Sequence, residues 1–242
     1  MSGICGIFNE SGLDELDISS IKRMTSMLAH RGPDDSGGHL NSKAALGHRR
    51  LRVIDIEGGA QPMSNEDGSV WVVFDGEIYN YTDLRNYLEK KGHTFRSHSD
   101  TEAIIHCYEE YGEEFAAKLR GMFAIAVWDN NLGILLLARD RAGERPLYYA
   151  RAQGRLVFAS EIKSLLAHPS VQRRFNPLSM HHLLTFQHVP GEATMFRDIC
   201  KLPPAHLMIA GEKPEAPKSF WFPQRIRIER KNVARAESGK LA

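Results

Sequence analysis

The first nine residues, Met1-Ser2-Gly3-Ile4-Cys5-Gly6-Ile7-Phe8-Asn9, carry the reading on which the fold turns. Residues 3–9 form a short apolar run set with glycines, which predicts a buried strand at the very start of the chain. Ser2 stands immediately before that strand. Its small side chain suits removal of the initiator methionine, which would leave a free α-amine next to a hydroxyl. An α-amine has a pKa of about 7.7–8.0, so part of the population is neutral near pH 7 and can act as a base. A nucleophile activated by its own terminal amine is a known chemical arrangement. Met-Ser is also a common way for a protein to begin, so the pairing gains meaning only from the residues around it.

Outward from that strand, Ile18, Ile21, Met24, Met27 and Leu28 recur at helical spacing and predict an amphipathic helix over residues 18–29. HRGPDDSGGH (30–39) is dense in Gly, Pro and Asp and predicts a loop. LRVIDI (51–56) and VWVVFD (70–75) read as strands separated by the turn-rich GGAQPMSNEDG. Thr82 is a candidate N-cap for a helix running to about Lys91, with Gly92 just past its end. Residues 101–119 hold a helical pattern broken near Gly112. MFAIAVWD (122–129) and GILLLARD (133–140) make a hairpin, and PLYYA and RLVFAS make a second strand pair. Helical stretches near 161–167 and 177–185 precede a short strand pair around HLMIA and the Gly211-Glu212 turn. Antiparallel-looking strand pairs with a few helices between them argue for an α+β fold of stacked sheets.

Composition narrows the class. The chain has 242 residues, 42% hydrophobic and 25% charged, which suits one large globular domain. A net charge of +1 supplies no overall basic field for nucleic acid. No apolar run approaches the roughly 18 residues needed to cross a bilayer, and the start lacks a basic secretory n-region. A soluble, cytoplasmic protein is expected, with neither a nucleic-acid nor a membrane partner. Cys5, Cys107 and Cys200 are odd in number and widely spread, which fits neither a disulfide framework nor a zinc site. His181, His182 and His188 show no ligand spacing with a carboxylate, so no metal and no cofactor are expected. In the last stretch Arg225, Arg227, Arg230, Lys231, Arg235 and Lys240 face only Glu229 and Glu237, which reads as a solvated basic tail or a linker over 223–242.

Three segments carry polar groups suited to a site. In HRRL (48–51), Arg50 precedes an expected strand and could hold a carboxylate in a bidentate fork. In DGEIYN (75–80), Gly76 would let the backbone approach a ligand closely. In SDTE (99–102), Asp100 opens a helix, where it could simply be an N-cap. Taken in order, SGIxGIF, HRGPD, HxRLxVID, GEIYN, SDTE, DRxGxRPLYY (140–149), FASEIK (158–163) and KLPP (201–204) resemble the glutaminase domain of asparagine synthetases. These are class II glutamine amidotransferases within the N-terminal-nucleophile hydrolase fold.

That resemblance covers residues 2–222 and implies a four-layer αββα sandwich. It also implies roles: Ser2 at the nucleophile position, Arg50 on the α-carboxylate of L-glutamine, and Val53 and Ile54 lending backbone contacts. Glu77 and Asp100 match residues around the α-amino group, where two carboxylates suit an ammonium. The backbone N–H of Gly76 matches one oxyanion-hole donor and position 75 the other. Two departures fall on the machinery itself. The family begins Met-Cys-Gly-Ile where this chain has Ser2, and its loop is Asn-Gly-Glu where this chain has Asp75. Serine needs a base throughout its attack, and an ionised Asp75 accepts hydrogen bonds but cannot donate one. Register argues against Cys5 as an alternative nucleophile. The family shows glycine and Ile/Val four and five residues after the nucleophile, and from Cys5 those positions hold Asn9 and Glu10. The Ser-Gly-Gly-x-Asp-Ser loop with which the family grips ATP is not found here; Ser36-Gly37-Gly38 is followed by His39. The implied function is hydrolysis of glutamine to glutamate and ammonia for a separate ATP-dependent synthetase domain or subunit, impaired by Ser2 and Asp75. The alternative is an inactive glutamine-binding domain acting as a sensor or synthetase partner.

Overall fold

The computed structural model describes residues 1–212 and 216–223, so the basic segment expected over 223–242 lies outside the described residues apart from Pro223. In chain order the strands are β1 (Gly3–Asn9), β2 (Asp35–Leu40), β3 (Ala44–Arg50), β4 (Met63–Ser64), β5 (Val70–Ile78), β6 (Gly121–Asp129), β7 (Ile134–Arg139), β8 (Tyr148–Ala152), β9 (Arg155–Ala159), β10 (Ile199–Lys201), β11 (His206–Ala210) and β12 (Lys218–Ser219). The helices are α1 (Glu15–Ser26), α2 (Tyr81–Lys90), α3 (Asp100–Tyr111), α4 (Phe115–Lys118), α5 (Ile162–Leu165) and α6 (Pro177–Phe186). Among the described residues the strands form two six-stranded sheets, ordered β10-β8-β9-β1-β3-β2 and β12-β11-β7-β6-β5-β4. The paired neighbours within each run antiparallel. None of the described helices is long and apolar enough to cross a membrane.

Alternation along the strands explains how the layers stack. On β1, Ile4 and Phe8 face the space between the sheets, where they join Leu46, Val73, Ala124, Trp128 and Leu137. The intervening Cys5 and Ile7 face the other way, into a core shared with Ile21, Met24 and Leu28 from α1 and its end and with Leu165 of α5. On β5, Val73 faces the inter-sheet core while Val72 and Phe74 face α3, against Ile104, Ile105 and Tyr108. Each sheet is therefore covered on both faces, and the order of layers is helix, sheet, sheet, helix. Every residue of β1 is buried, the strand being central in its sheet and covered on both sides.

Several elements depart from the sequence expectation. The first helix begins at Glu15, because Asp14 caps it and Asp17 reciprocates, the two side chains bonding each other's backbone N–H. Ile21, Met24 and Leu28 are buried as expected, whereas Ile18 and Met27 are exposed. The second half of HRGPDDSGGH is not loop but edge strand β2, paired with β3. Glycine is needed there for close approach: a Cβ at Gly37 would lie 1.9 Å from the carbonyl oxygen of Gln61. LRVIDI is not a strand; sheet pairing stops at Arg50, and residues 51–59 form an irregular loop. Thr82 lies inside α2, whose N-cap position is Asn80. Asn80 spends its side chain on the Lys118 carbonyl and the Arg120 N–H instead of on the helix.

A buried ionic knot fastens α1 to the first sheet. Asp17 is fully buried and receives Arg155 Nε at 2.6 Å and lies 3.0 Å from His168 Nε2. Burial pushes the Asp17 carboxyl up, but these hydrogen bonds and the Asp14 N–H outweigh it and hold the group below the usual carboxylate range. Because the folded-state pKa is depressed, the stabilisation is present above the unfolded value and is lost as pH falls through the folded one. Replacing Asp17 by Asn should cost up to about 3 kcal/mol near neutral pH, since Arg155 loses its buried carboxylate and keeps only the more exposed Asp14. Urea titration is the measurement, and the gap to the wild type should narrow as pH drops into the acid range.

Candidate active site

Pairing of β1 with β3 ends at Gly3 opposite Arg49, which leaves Ser2 just beyond the strand where the two sheets open. The Ser2 hydroxyl oxygen accepts a hydrogen bond from the Leu51 N–H at 3.2 Å. The Ser2 carbonyl accepts from Arg31 Nε at 2.8 Å. The same guanidinium reaches Asp75 Oδ2 at 2.7 Å through Nη2 and Glu161 Oε1 at 3.4 Å through Nη1. Arg31 thus ties the first residue before β1 to β5 and to the N-cap of α5. Met1 is exposed, and partial burial draws its α-amine below the usual value, with Arg31 and Arg145 acting in the same direction and Asp75 against it.

All eight residues singled out from the sequence line one cavity of about 140 Å³: Ser2, Arg50, Val53, Ile54, Asp75, Gly76, Glu77 and Asp100. They come from four places in the chain, namely the start, the end of β3 with its following loop, β5, and the first turn of α3. Gly76 sits at φ +151° in β5, and a Cβ there would lie 2.0 Å from the Met122 carbonyl oxygen, so no side chain fits. Val53 and Ile54 reach the cavity from the irregular loop, not from a strand. Arg50 holds that loop in shape, donating to the carbonyls of Ile56 at 3.0 Å and Asp55 at 2.5 Å. Asp55 adopts a positive φ of 48°, and its carboxylate accepts the N–H groups of Gly58 and His98. A short polar side chain that bonds locally is what makes that conformation tolerable. A guanidinium has five N–H donors, so Arg50 keeps capacity for a ligand.

Asp100 is not the N-cap of α3. Ser99 takes that place, its hydroxyl accepting the Thr101 N–H at 3.2 Å. The Asp100 carboxylate instead accepts the Ile78 N–H at 3.0 Å, which locks the helix start to the end of β5. Burial pushes the Asp100 carboxyl up to about 6, with Glu77 adding to the rise and the Ile78 hydrogen bond opposing it. Asp75 is only 1% exposed, its Oδ2 on Arg31 and its Oδ1 without a hydrogen-bond partner among the described residues. Burial raises its pKa as well, against the pull of Arg31 and Arg145. Cys5 faces the helical core with its sulfur 3.4 Å from Thr25 Oγ1, and burial pushes its thiol up to about 12, so it is inert.

The structure adds residues that the sequence reading assigned no role. Gln61 lines the cavity and braces it, its Oε1 accepting the Phe74 N–H at 2.6 Å and its Nε2 donating to Thr101 Oγ1 at 3.2 Å. Arg145 also lines it, with a buried Nε that has no hydrogen-bond partner among the described residues. Its loop is shaped by Asp140, whose carboxylate accepts four backbone N–H groups, those of Phe123, Ala142, Glu144 and Arg145. Arg31 and Arg145 lie in the HRGPD and DRxGxRPLYY motifs, so the signal was present in the sequence without a partner to interpret it.

A family model described as the glutamine amidotransferase domain matches residues 1–221. Asparagine synthetase [glutamine-hydrolyzing] 1 of Bacillus subtilis is 42% identical over 208 residues, which are 84% of this chain and 32% of that protein. Asparagine synthetase [glutamine-hydrolyzing] 2 of Arabidopsis thaliana is 45% identical over 168 residues, 67% of this chain and 28% of that protein. The chain thus spans about a third of the length of these relatives. Its fold is similar to that of a glutamine phosphoribosylpyrophosphate amidotransferase from B. subtilis, with a TM-score of 0.65 at 19% identity, covering 91% of this chain and 50% of that one. With the model matched over nearly the whole described length and the stacked antiparallel sheets in place, this chain belongs to the glutamine amidotransferase domain family.

Proposed function

We propose that this chain is the glutaminase part of an asparagine-synthetase-type amidotransferase, which binds L-glutamine in the cavity beside Ser2 and hydrolyses its side-chain amide slowly. The observation that carries the reading is the meeting of Ser2, Arg50, Glu77 and Asp100 on one cavity from four separate stretches of chain. In this reading Arg50 holds the α-carboxylate, while Glu77 and Asp100 face the α-ammonium. Once Met1 is removed, the Ser2 hydroxyl attacks the amide carbon and its own amine takes the proton, then passes it to departing ammonia. Water hydrolyses the resulting ester and releases glutamate. The ammonia serves an ATP-dependent synthetase domain or subunit in the cytoplasm.

Position 75 decides the rate. The tetrahedral intermediate carries an oxyanion that the Gly76 N–H can stabilise, but a carboxylate paired with Arg31 adds negative charge where a donor is needed. Burial favours the neutral, donating form of Asp75, and the two arginines favour the ionised one. That buried ion pair also supports a second reading, in which the chain binds glutamine without turning it over, as a sensor or synthetase partner.

Glutamate release from glutamine, followed beside calorimetric binding on the purified protein, separates the two. Slow release that disappears in Ser2→Ala supports the enzyme; binding without release supports the second reading. The pair Ser2→Cys with Asp75→Asn should raise turnover by about 10²–10³, the usual worth of one oxyanion donor. A double variant no faster than the parent would overturn the assignment of these two positions. Asp100 yields a second expectation. Its folded-state pKa is raised, so it costs stability increasingly as pH climbs from the ordinary carboxylate range through about 6. Asp100→Asn should therefore raise the neutral-pH stability by up to about 3 kcal/mol while weakening glutamine binding. In the parent, binding should fall as pH drops below about 6 and the carboxylate is protonated. Thermal melts and titrations across that range check both signs.

A further inference from the structure

Away from the cavity, the turn after α2 packs on the middle of α3 and brings two imidazoles onto one carboxylate. His106 and Glu109 lie three residues apart on one helical face, and His93 reaches them from the turn. His106 Nδ1 is 2.7 Å from Glu109 Oε2, and His93 Nδ1 is 3.4 Å from the same oxygen. The two rings lie 4.9 Å apart between centroids. One ligand atom from each of the three residues falls within 4.8 Å of the others. We propose that His93, His106 and Glu109 bind a divalent cation of the zinc class.

Zinc bonds to nitrogen and carboxylate oxygen are about 2.0–2.2 Å, so neighbouring ligands of a tetrahedral ion stand roughly 3.4 Å apart. The His93–Glu109 separation already matches that edge. The His106–Glu109 contact has to open by a fraction of an ångström, and Glu109 is partly exposed and able to turn.

The surroundings are those of a built site. Asn65 Nδ2 donates to Glu109 Oε1 at 2.8 Å, which orients the carboxylate and leaves Oε2 for the ion. His106 is 1% exposed, and its Nε2 has no hydrogen-bond partner among the described residues but faces Glu102 at 3.8 Å and Glu66 at 3.9 Å. His93 Nε2 faces Glu110 Oε2 at 3.6 Å. Each ring thus turns one nitrogen to the shared oxygen and the other toward a carboxylate, the arrangement that orients imidazole ligands in zinc sites. Three protein ligands leave a fourth position for water. Such an ion would clamp the 91–93 turn to α3, the helix that begins with Asp100. His181, His182 and His188 are not part of the cluster.

Calorimetric titration of the chelator-treated full chain with zinc chloride tests the proposal, with visible absorption after cobalt(II) addition as a second readout. One ion per chain is expected, with cobalt bands of a four-coordinate N/O site. His93→Ala and Glu109→Gln should each weaken binding by about tenfold or more. Zinc should raise the melting temperature of the parent and not of the variants. Glu109→Gln keeps the side-chain shape and decides the matter if His93→Ala lowers the fold's stability by itself. Absence of binding, or equal binding by parent and both variants, would overturn the site.

Discussion

The chain has to bury its own beginning. β1 is a central strand of its sheet, flanked by β3 and β9, and its alternate side chains enter two different cores. Ile4 and Phe8 are held by the opposing sheet, and Cys5 and Ile7 by α1 and its neighbours, at about 1.5–3 kcal/mol for each large side chain taken from water. With both faces and both edges occupied, the strand has no freedom to slip in register, since a one-residue shift would exchange the two cores. The position of Ser2 follows directly. It is the first residue outside a strand fixed in three dimensions, at the end where the sheets part and Arg31 grips its carbonyl.

The electrostatics of the cavity grow out of the same frame. Arg50 and Arg145 line it from loops, while Asp75, Glu77 and Asp100 line it from β5 and the start of α3, with Arg31 behind Asp75. A cavity lined by both signs of charge suits a zwitterion better than an ion of one sign. The two buried carboxylates have different fates, though. Asp100 is held by backbone N–H groups, that of Ile78 foremost, and burial lifts its pKa to about 6, whereas Asp75 meets a guanidinium at 2.7 Å. Only the second is paired at close range with a full opposite charge.

How much of this could be read from residues alone depended on where the deciding partner lay. The β1 strand, the β6–β7 hairpin, the β8–β9 pair and the break at Gly112 all rest on local pattern, and all were legible. The errors share a different cause. VID at 53–55 has the composition of a strand, yet it stays irregular because Arg50 occupies the carbonyls a neighbouring strand would have used. DSGGH at 35–39 has the composition of a loop, yet it pairs as an edge strand because its glycines admit the Gln61 backbone. Asp100 reads locally as the cap of α3, yet Ser99 takes that place because the distant Ile78 N–H engages the Asp100 carboxylate. The grouping of eight residues around one cavity was legible through ordered motifs. Gln61 and Arg145 were not, because their meaning is a contact with residues far away in the chain.

The stability of the sandwich and the chemistry of its cavity pull against each other at the end of β5. A fold this well covered could afford an uncharged residue at 75 and at 100, and either would relieve a buried carboxylate of its desolvation penalty. The chain keeps both acids and surrounds them with fixed groups: the Ile78 N–H for Asp100, and the Arg31 guanidinium, which also holds Ser2, for Asp75. Because one guanidinium serves both the start of the chain and position 75, the charge state of Asp75 and the placement of Ser2 are coupled. Protonating Asp75 would free Arg31 Nη2, and the same side chain would then hold the Ser2 carbonyl with one fewer anchor. A neutral amide at 75 would keep a partner for Arg31 through its oxygen and turn a donor toward the cavity, so the geometry here accommodates the donating side chain without rearranging the frame that carries it.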